Sequence, residues 1–283
     1  MESKIKEKIK YLTDKINEHN YAYYVLDRPY LSDAEYDNLF RELESLEKEN
    51  PELIQLSSPT QRVGHPIKSG FQNYSHDTPM LSLSNAINEQ EIHDFTQRIN
   101  KWLEQESTSY IAEPKIDGLG VSLIYESGNL VRALTRGDGY TGEDITHNIK
   151  TINAVPMVLR NNKNSHPEFV EIRGEIFMLK SDFTKLNQVR SQEGEKLFAN
   201  ARNAAAGSVR QLDPHVTAKR KLSIFCYELG TSKGLDINSH WDMLSYLRSI
   251  GLPVNPLAEK IDTIDHMITY HQTLENKRES IPY

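Results

Sequence analysis

Apolar residues near the start of the chain recur every three or four positions, which predicts two consecutive amphipathic helices. The first helix presents Ile5, Ile9, Leu12 and Ile16. The second presents Leu39, Phe40, Leu43 and Leu46. Ser32, with Glu35 three residues later, forms a capping-box pattern that predicts where the second helix begins, and Asn50-Pro51 predicts its end. Together the two helices predict a helical hairpin.

The segment after the hairpin, SSPTQRVGHPIKSG, is rich in proline, glycine and serine, which is typical of a linker. We therefore place a domain boundary near residue 70, with a helical subdomain over 1–70 and a second domain over 71–283. A third helix is predicted soon after the boundary, because Asn88 and Glu91 form another cap pattern. Its apolar face consists of Ile92, Phe95, Ile99 and Leu103.

From Tyr110 onward the pattern changes to short runs rich in β-branched and aromatic residues, which predict strands. These runs are YIAEPKI, GVSLIYE, LVRALTR, EFVEIRGEIFML and KLSIFCYEL. Turn residues Ser127-Gly128-Asn129 join the second run to the third, as in a hairpin. Helices are predicted at SDFTKLNQVRS, ARNAAAGSVRQL, WDMLSYLRSIGL and TIDHMITYHQTLEN. Strands separated irregularly by helices favour an α+β fold with an antiparallel sheet over a doubly wound parallel sheet.

Composition narrows the class of protein. The chain has 283 residues, enough for one large domain and a smaller one. Its single cysteine, Cys226, excludes an internal disulfide and indicates a reducing, cytoplasmic location. No run resembles a signal peptide or a membrane span. The net charge of −7 argues against a protein-wide basic surface for nucleic acid, so any such contact must be local or supplied elsewhere.

The stretch EPKIDG, residues 113–118, places Lys115 between a proline and Asp117 at the end of a predicted strand. A neutral lysine is a nucleophile, but at the ordinary lysine pKa only about one in a thousand is neutral near pH 7. Cations or burial lower such a pKa, whereas a carboxylate like Asp117 favours the charged amine unless it points elsewhere or engages a metal. On its own the motif is more typical of a solvated turn.

Three further motifs accompany the lysine. TRGDGYTGED combines Arg136 with glycines, which let backbone approach a ligand closely. EIRGEIF places Glu175 in an apolar run, where a carboxylate requires hydrogen bonds or a cation such as Arg173. FANARNAAAGSVRQLD carries Arg202 and Arg210 on a segment of small residues. The residues alone leave plainer alternatives open, namely a polar loop, a buried ion pair and a compact surface helix.

The order and spacing of EPKIDG, TRGDGYTGED, EIRGE, FANARNAAAGSVRQLD and FCYEL resemble the adenylation region of bacterial NAD-dependent DNA ligases. The resemblance runs from about residue 10 to the end of the chain. It departs from the family at Ala201, where proline is usual, and at Pro114, where an apolar residue is common. It implies a helical hairpin followed by an antiparallel-sheet nucleotidyltransferase domain, ATP-grasp-like, that is incomplete at its C-terminus.

The resemblance also implies a chemistry. Lys115 would attack the α-phosphate of NAD, release nicotinamide mononucleotide (NMN) and form lysyl-AMP, before AMP passes to a 5′-phosphate at a DNA nick in replication and repair. The implied nucleotide pocket comprises Glu113 for adenine, Tyr227 stacked on the ring, Glu175 on the ribose, and Ser82 and Leu83 along the wall. The implied sources of positive potential are Arg136, Arg202 and Arg210. Family members use Mg²⁺, with Asp117 as an indirect contributor.

The hairpin is where the resemblance implies recognition of nicotinamide. Asp33, Tyr36 and Asp37 share one helix face because they occupy positions i, i+3 and i+4. Tyr23 and Tyr24 lie near the end of the preceding helix. Two aromatic rings can sandwich nicotinamide in offset stacks worth about 1 kcal/mol each. Without the resemblance, tyrosines that pack the hairpin are the more typical explanation, and Tyr24 is the weakest candidate because some relatives carry histidine there.

Two alternatives stay open. An ATP- or GTP-dependent nucleotidyltransferase, such as an RNA ligase or capping enzyme, shares the lysine motif, but the hairpin residues argue against it. A non-catalytic NAD-binding module is the second, since similar ligases continue beyond RESIPY with strands that carry two further lysines. For the same reason we expect a fragment with impaired turnover. We expect a monomer whose partners are NAD and, in the whole enzyme, nicked double-stranded DNA.

Overall fold

The computed structural model describes residues 2–24, 30–55, 58–62, 70–104, 108–160 and 166–283, without the side chains of residues 2, 23, 24, 33 and 34. The helices are α1 (Glu2–Tyr24), α2 (Asp33–Glu49), α3 (Glu89–Leu103), α4 (Thr146–Lys150), α5 (Lys180–Gln192), α6 (Ala201–Val209), α7 (Pro214–Ala218), α8 (His240–Ser249) and α9 (Ile264–Lys277). The strands are β1 (Asn73–Ser75), β2 (Tyr110–Ala112), β3 (Leu119–Glu126), β4 (Asn129–Thr135), β5 (Thr141–Glu143), β6 (Phe169–Phe177), β7 (Ser223–Lys233) and β8 (Glu259–Ile261).

Helices α1 and α2 form the predicted hairpin. Its buried core consists of Ile9, Leu12, Ile16 and Leu43, which are the apolar positions of the helical pattern. The Ser32 hydroxyl accepts a hydrogen bond from the Glu35 backbone N–H at 3.3 Å, and the Glu35 carboxylate accepts one from the Ser32 backbone N–H at 2.8 Å. This reciprocal pair satisfies two donors that the first helical turn would otherwise leave unbonded. Helix α2 therefore begins and ends where its cap residues predict.

The main sheet is antiparallel, with strand order β4-β3-β6-β7, which confirms the predicted α+β class. One face carries apolar residues of β3, β6 and β7, among them Leu123, Ile172 and Cys226, and packs into the core. Because side chains alternate along a strand, the opposite face receives the intervening, mostly polar residues, including Glu171, Arg173, Glu175 and Tyr227. The polar face of the sheet is therefore the place where chemistry can be assembled.

Several predicted strands differ from the observed ones in length and in partners. The run YIAEPKI is a strand only at β2, which pairs with β8 and not with the main sheet. Lys115 consequently lies in the loop between β2 and β3. The motif TRGDGYTGED contains β5, which pairs with β1, and the pattern predicted neither strand. Strands of three residues contain too few alternations for a period-2 pattern to reveal them.

The hairpin and the residues that follow it contact the sheet domain near the β3–β4 turn. The buried Arg62 guanidinium donates to the carbonyl oxygens of Lys150, Ile152 and Val155 at 3.0, 3.2 and 3.2 Å. The Arg160 guanidinium lies 4.0 Å from the centre of the Tyr21 ring on α1. The carbonyl oxygen of Gly128 in the turn accepts from Leu159 N–H at 2.8 Å, so this contact region is at the far end of β3 from Lys115.

A cavity of about 590 Å³ remains between α1 and the segment 153–160.

Among the helices of the described residues, none combines the length and the apolar composition that a bilayer span requires.

Candidate functional site

Lys115 is exposed in a loop that lies directly on β6. Gly118 makes this close approach possible, because a Cβ atom at that position would lie 2.0 Å from the Ile176 carbonyl oxygen. The approach brings the lysine loop beside Glu175. Burial raises the pKa of Glu175, while the Lys115 charge and a hydrogen bond from Gly118 N–H act in the opposite direction. The structure thus places the predicted nucleophile next to the predicted ribose ligand.

Asp117 has a cationic partner other than Lys115. Arg202 on α6 donates from Nη1 to Asp117 Oδ1 at 3.2 Å. Both side chains are largely exposed, so this ion pair contributes little to stability. The contact nevertheless joins FANARNAAAGSVRQLD to the lysine motif, and the Arg202 charge also lowers the pKa of Glu175 to a smaller extent than Lys115 does.

Glu113, on the other side of Lys115, has a partner that the sequence reasoning missed. His240 Nε2 lies 2.6 Å from Glu113 Oε1. His240 is the first residue of α8, whose N-cap Ser239 accepts from Asp242 N–H. The pattern Ser-His-Trp-Asp shows a capped helix start, but nothing in it indicates that the histidine contacts a residue in a distant loop.

Tyr227 and Glu175 belong to neighbouring strands and to the same face of the sheet. Burial raises the pKa of Tyr227, and the adjacent Glu175 charge acts in the same direction. Gly120 on β3 completes this part of the site, because a Cβ atom there would lie 3.5 Å from Glu175 Oε2 and 3.4 Å from Arg136 Cβ. The structure therefore places Tyr227 and Arg136 near Glu175.

Arg136 holds the segment that carries Ser82 and Leu83. Its Nε donates to the Met80 carbonyl oxygen at 3.1 Å, and its Nη2 donates to the Ser82 hydroxyl at 2.8 Å. Leu83 is 77% exposed, so it has little packing of its own. The sequence predicts Arg136 as a source of positive potential, whereas in the structure its guanidinium also fixes the position of a neighbouring loop.

Arg210 is paired with a different acidic residue. Its Nε and Nη2 contact the two carboxylate oxygens of Glu143 at 2.7 and 2.8 Å. This two-point hydrogen bonding raises the pKa of Arg210. The pair connects α6 to β5, and the contacts described for Arg210 do not include Lys115 or Glu175.

On the hairpin, the structure describes the side chains of Tyr36 and Asp37. Tyr36 is half-buried and packs against Phe40 and His19, with ring centroids 6.2 and 5.3 Å apart. Asp37 is exposed on α2. The side chains of Tyr23, Tyr24 and Asp33 lie outside the described part. Tyr36 thus has the packing role of the plainer alternative, and its contact with nicotinamide stays a prediction.

A buried ionic network on the same face of the sheet was not predicted. Glu171 and Arg173 are each 3% exposed, and Arg173 Nε lies 3.1 Å from Glu171 Oε1. Ser122 donates to the same carboxylate oxygen at 2.8 Å. Arg173 therefore pairs with Glu171, and the alternative in which it neutralises Glu175 is wrong. The charges at alternate positions of EIRGE were a visible signal, but alternation alone does not say which two of them meet.

Within the described residues, no group of three or more His, Cys, Asp or Glu side chains has a geometry that would hold a metal ion. Mg²⁺ is commonly held by one or two carboxylates together with substrate phosphates and water. A site of that kind does not require a cluster of protein ligands.

Two family models together match nearly the whole chain. A family model described as NAD-dependent DNA ligase adenylation domain matches residues 68–283. A second, described as DNA ligase-like, N-terminal NAD+-binding domain, matches residues 2–64.

Curated relatives named DNA ligase cover almost the whole chain. The one from Geotalea daltonii is 50% identical over 98% of this chain and 41% of its own length. The one from Desulforamulus reducens is 47% identical over 98% of this chain and 41% of its own length, and one from Coxiella burnetii is 46% identical over 99% and 42%. The chain spans about two-fifths of the length of these relatives.

Proposed function

The chain belongs to the family of NAD-dependent DNA ligase adenylation domains, and from this premise we propose that it takes an adenylyl group from NAD for the sealing of DNA nicks. The observation that carries the proposal is the position of Lys115. The close approach of the backbone at Gly118 to β6 brings the lysine loop beside Glu175 on the polar face of the sheet. A primary amine at that point is available to a nucleotide bound on the same face.

In the proposed reaction, the neutral Lys115 amine attacks the α-phosphorus of NAD. A nitrogen–phosphorus bond forms, the bond from that phosphorus to the bridging oxygen breaks, and NMN leaves with the bridging oxygen and its electron pair. The proton lost from the amine passes to solvent. The product is lysyl-AMP. In the longer protein, AMP then passes to the 5′-phosphate of a nick, and the neighbouring 3′-hydroxyl displaces it during replication or repair.

The AMP half of NAD is assigned to the sheet domain. Glu113 recognises adenine, and His240 holds the Glu113 carboxylate. Tyr227 stacks on the adenine ring, and Glu175 accepts a hydrogen bond from the ribose. Ser82 and Leu83 form the wall, and Arg136, Arg202 and Arg210 supply positive charge. Glu175 and Tyr227 share one sheet face, which supports their action on one ligand. Mg²⁺, when bound through the phosphates near Asp117, would neutralise developing charge.

The nicotinamide half is assigned to the hairpin, through Tyr23, Asp33, Tyr36 and Asp37. The separate match of residues 2–64 to an NAD+-binding family supports the assignment of the nicotinamide half to the hairpin. One family match ends at residue 64 and the other begins at residue 68, which supports a domain boundary near residue 70. We further propose a cytoplasmic monomer with NAD as substrate and nicked double-stranded DNA as the partner of the whole protein.

Intact-mass measurement tests the nucleophile. After incubation with NAD and Mg²⁺, we expect an adenylyl adduct on the wild-type chain and on the control Lys185→Ala, which changes an exposed lysine of α5. No adduct is expected on Lys115→Ala. The fraction of wild-type chains that carry the adduct also tests the impaired turnover predicted from the sequence.

Three outcomes would contradict the proposal. An adduct that persists in Lys115→Ala would show a different nucleophile. Labelling by ATP as efficient as labelling by NAD would favour the ATP-dependent alternative. NAD binding without any adduct on the wild-type chain would favour the non-catalytic module.

A further inference from the structure

The segment 78–83 is held to the main sheet by two arginines. Arg173 Nη2 donates to the Thr78 carbonyl oxygen at 2.5 Å, and Arg173 Nη1 donates to the Pro79 carbonyl oxygen at 3.1 Å. Arg136 donates to the Met80 carbonyl oxygen and, two residues further on, to the Ser82 hydroxyl. Each guanidinium thus fixes two groups of the segment, and Arg173 does so from within the sheet.

Arg173 is itself held in one orientation. Besides its contact with Glu171, its Nη1 lies 3.6 Å from Glu228 Oε2 on β7. Glu171 in turn accepts from the Ser122 hydroxyl at 2.8 Å and from Thr231 N–H at 3.3 Å. Three strands therefore determine the direction in which the guanidinium points.

The Glu171 carboxylate also lies directly against the backbone of β7 at Gly230. A Cβ atom at Gly230 would lie 2.3 Å from Glu171 Oε2, so β7 passes against the carboxylate without a side chain between them. A side chain at that point of β7 would displace the Glu171 carboxylate.

Stability alone does not account for such a network. Removing two charges from water costs about as much free energy as their attraction returns, and well-packed apolar residues are often equally stable in their place. What the pair adds is a fixed orientation of the Arg173 guanidinium, which offers several donors in one rigid plane. The segment depends on hydrogen bonds from the oriented guanidinium, because Leu81 and Leu83 are 76% and 77% exposed and provide little packing.

We propose that Arg173, oriented by Glu171, is a positioning residue that sets the place of Ser82 and Leu83 against the nucleotide. This inference rests on the proposed function, in which both residues line the AMP half of the site. Arg173 acts through backbone carbonyl groups and not by touching the ligand.

The variant Arg173→Lys tests this role, because lysine keeps the charge beside Glu171 but has no planar fork for two carbonyl groups. We expect affinity for AMP, measured by calorimetry on the 283-residue chain, to fall about tenfold, equivalent to about 1.4 kcal/mol. Affinity for NMN should be unchanged. The Met80 amide, which donates to the Gly139 carbonyl oxygen at 2.8 Å, should exchange its hydrogen faster, while amides of β6 keep their protection.

The control is Arg132→Lys. Arg132 on β4 belongs to the same face of the sheet and lies over the Tyr74 ring at 4.2 Å, but its described contacts do not include the segment. We expect wild-type AMP affinity and wild-type exchange at Met80. Arg173→Lys with unchanged exchange and unchanged AMP affinity would overturn the proposal.

If Arg173→Lys fails to fold, the double variant Glu171→Met, Arg173→Met removes both charges and keeps apolar volume. The proposal then requires a folded chain with faster exchange at Met80 and weaker AMP binding, and wild-type affinity in the double variant would overturn it. A wild-type chain that binds neither AMP nor NAD would contradict the proposed function. In that case the exchange at Met80 still decides whether Arg173 holds the segment.

Discussion

At the scale of single residues, Glu175 has a position that costs stability. Burial raises the pKa of Glu175 despite the nearby charges of Lys115 and Arg202. The folded state therefore holds a proton at this site more tightly than the unfolded chain does. Stability contributed by the group is present at low pH and is lost as pH rises from the ordinary glutamate pKa through the raised one. The group therefore contributes less to stability at neutral pH than at low pH.

We expect Glu175→Gln to be more stable than the wild type at neutral pH, with the difference vanishing as pH falls below the ordinary glutamate pKa. Affinity for AMP should decrease at least about tenfold, or about 1.4 kcal/mol, because the ribose loses its charged acceptor. Urea unfolding as a function of pH and calorimetry with AMP measure the two effects. Glu126→Gln, an exposed carboxylate of β3, is the control and should change neither quantity. A less stable Glu175→Gln at neutral pH would mean that attraction to Lys115 outweighs burial.

The charged contacts of the site were the least predictable feature at this scale. Glu171 and Glu175 both stand two residues from Arg173, and the sequence offers no basis for choosing between them. The pairing of β6 with β7 shifts register between Arg173 and Gly174, and such irregularities change the direction of neighbouring side chains. The partners of Arg136, Arg202 and Glu113 are likewise set by loops that meet only in the folded chain.

At the scale of elements, the cap of α2 offers a direct test of a feature that the sequence predicted. Ser32→Ala removes the hydroxyl that accepts from Glu35 N–H, and we expect a loss of about 1 kcal/mol in the free energy of unfolding. Ser45→Ala, in the exposed interior of the same helix, is the matched control and should be neutral or slightly stabilising, since alanine has the higher helix propensity. Urea denaturation of both variants measures the difference. Equal effects would show that the cap contributes nothing.

Long periodic elements were predictable, and short strands with distant partners were not. The hairpin helices and the β3–β4 hairpin follow from local pattern, because their contacts lie close in sequence. Strand β2 pairs with β8, which is far along the chain, and neither strand is longer than three residues. Their pairing depends on the closure of the whole domain and on no local signal. The resemblance, by contrast, predicts Lys115, Glu175 and Tyr227 as site residues without any knowledge of those strands.

At the scale of the whole molecule, the hairpin and the sheet domain meet away from the candidate nucleophile. Arg62 and the stacking of Tyr21 with Arg160 join them near the β3–β4 turn. Strand β3 has eight residues, so the turn and the lysine loop are separated by roughly 26 Å along it. The proposed function assigns the two halves of NAD to these two parts. A change on the hairpin should therefore affect only ligands that contain the nicotinamide half.

Asp37→Asn tests this separation, because Asp37 is exposed on α2 and its replacement disturbs no packing. Loss of the charged acceptor for the carboxamide should weaken binding of NAD and of NMN about tenfold, whereas binding of AMP should be unchanged. Glu44→Gln makes the same carboxylate-to-amide change on the same helix and should leave all three affinities as they are. Calorimetry with NAD, NMN and AMP gives the comparison. Equal weakening of AMP and NMN binding would mean that the hairpin acts on the sheet domain as a whole, because a direct contact with nicotinamide cannot reach a ligand that lacks it.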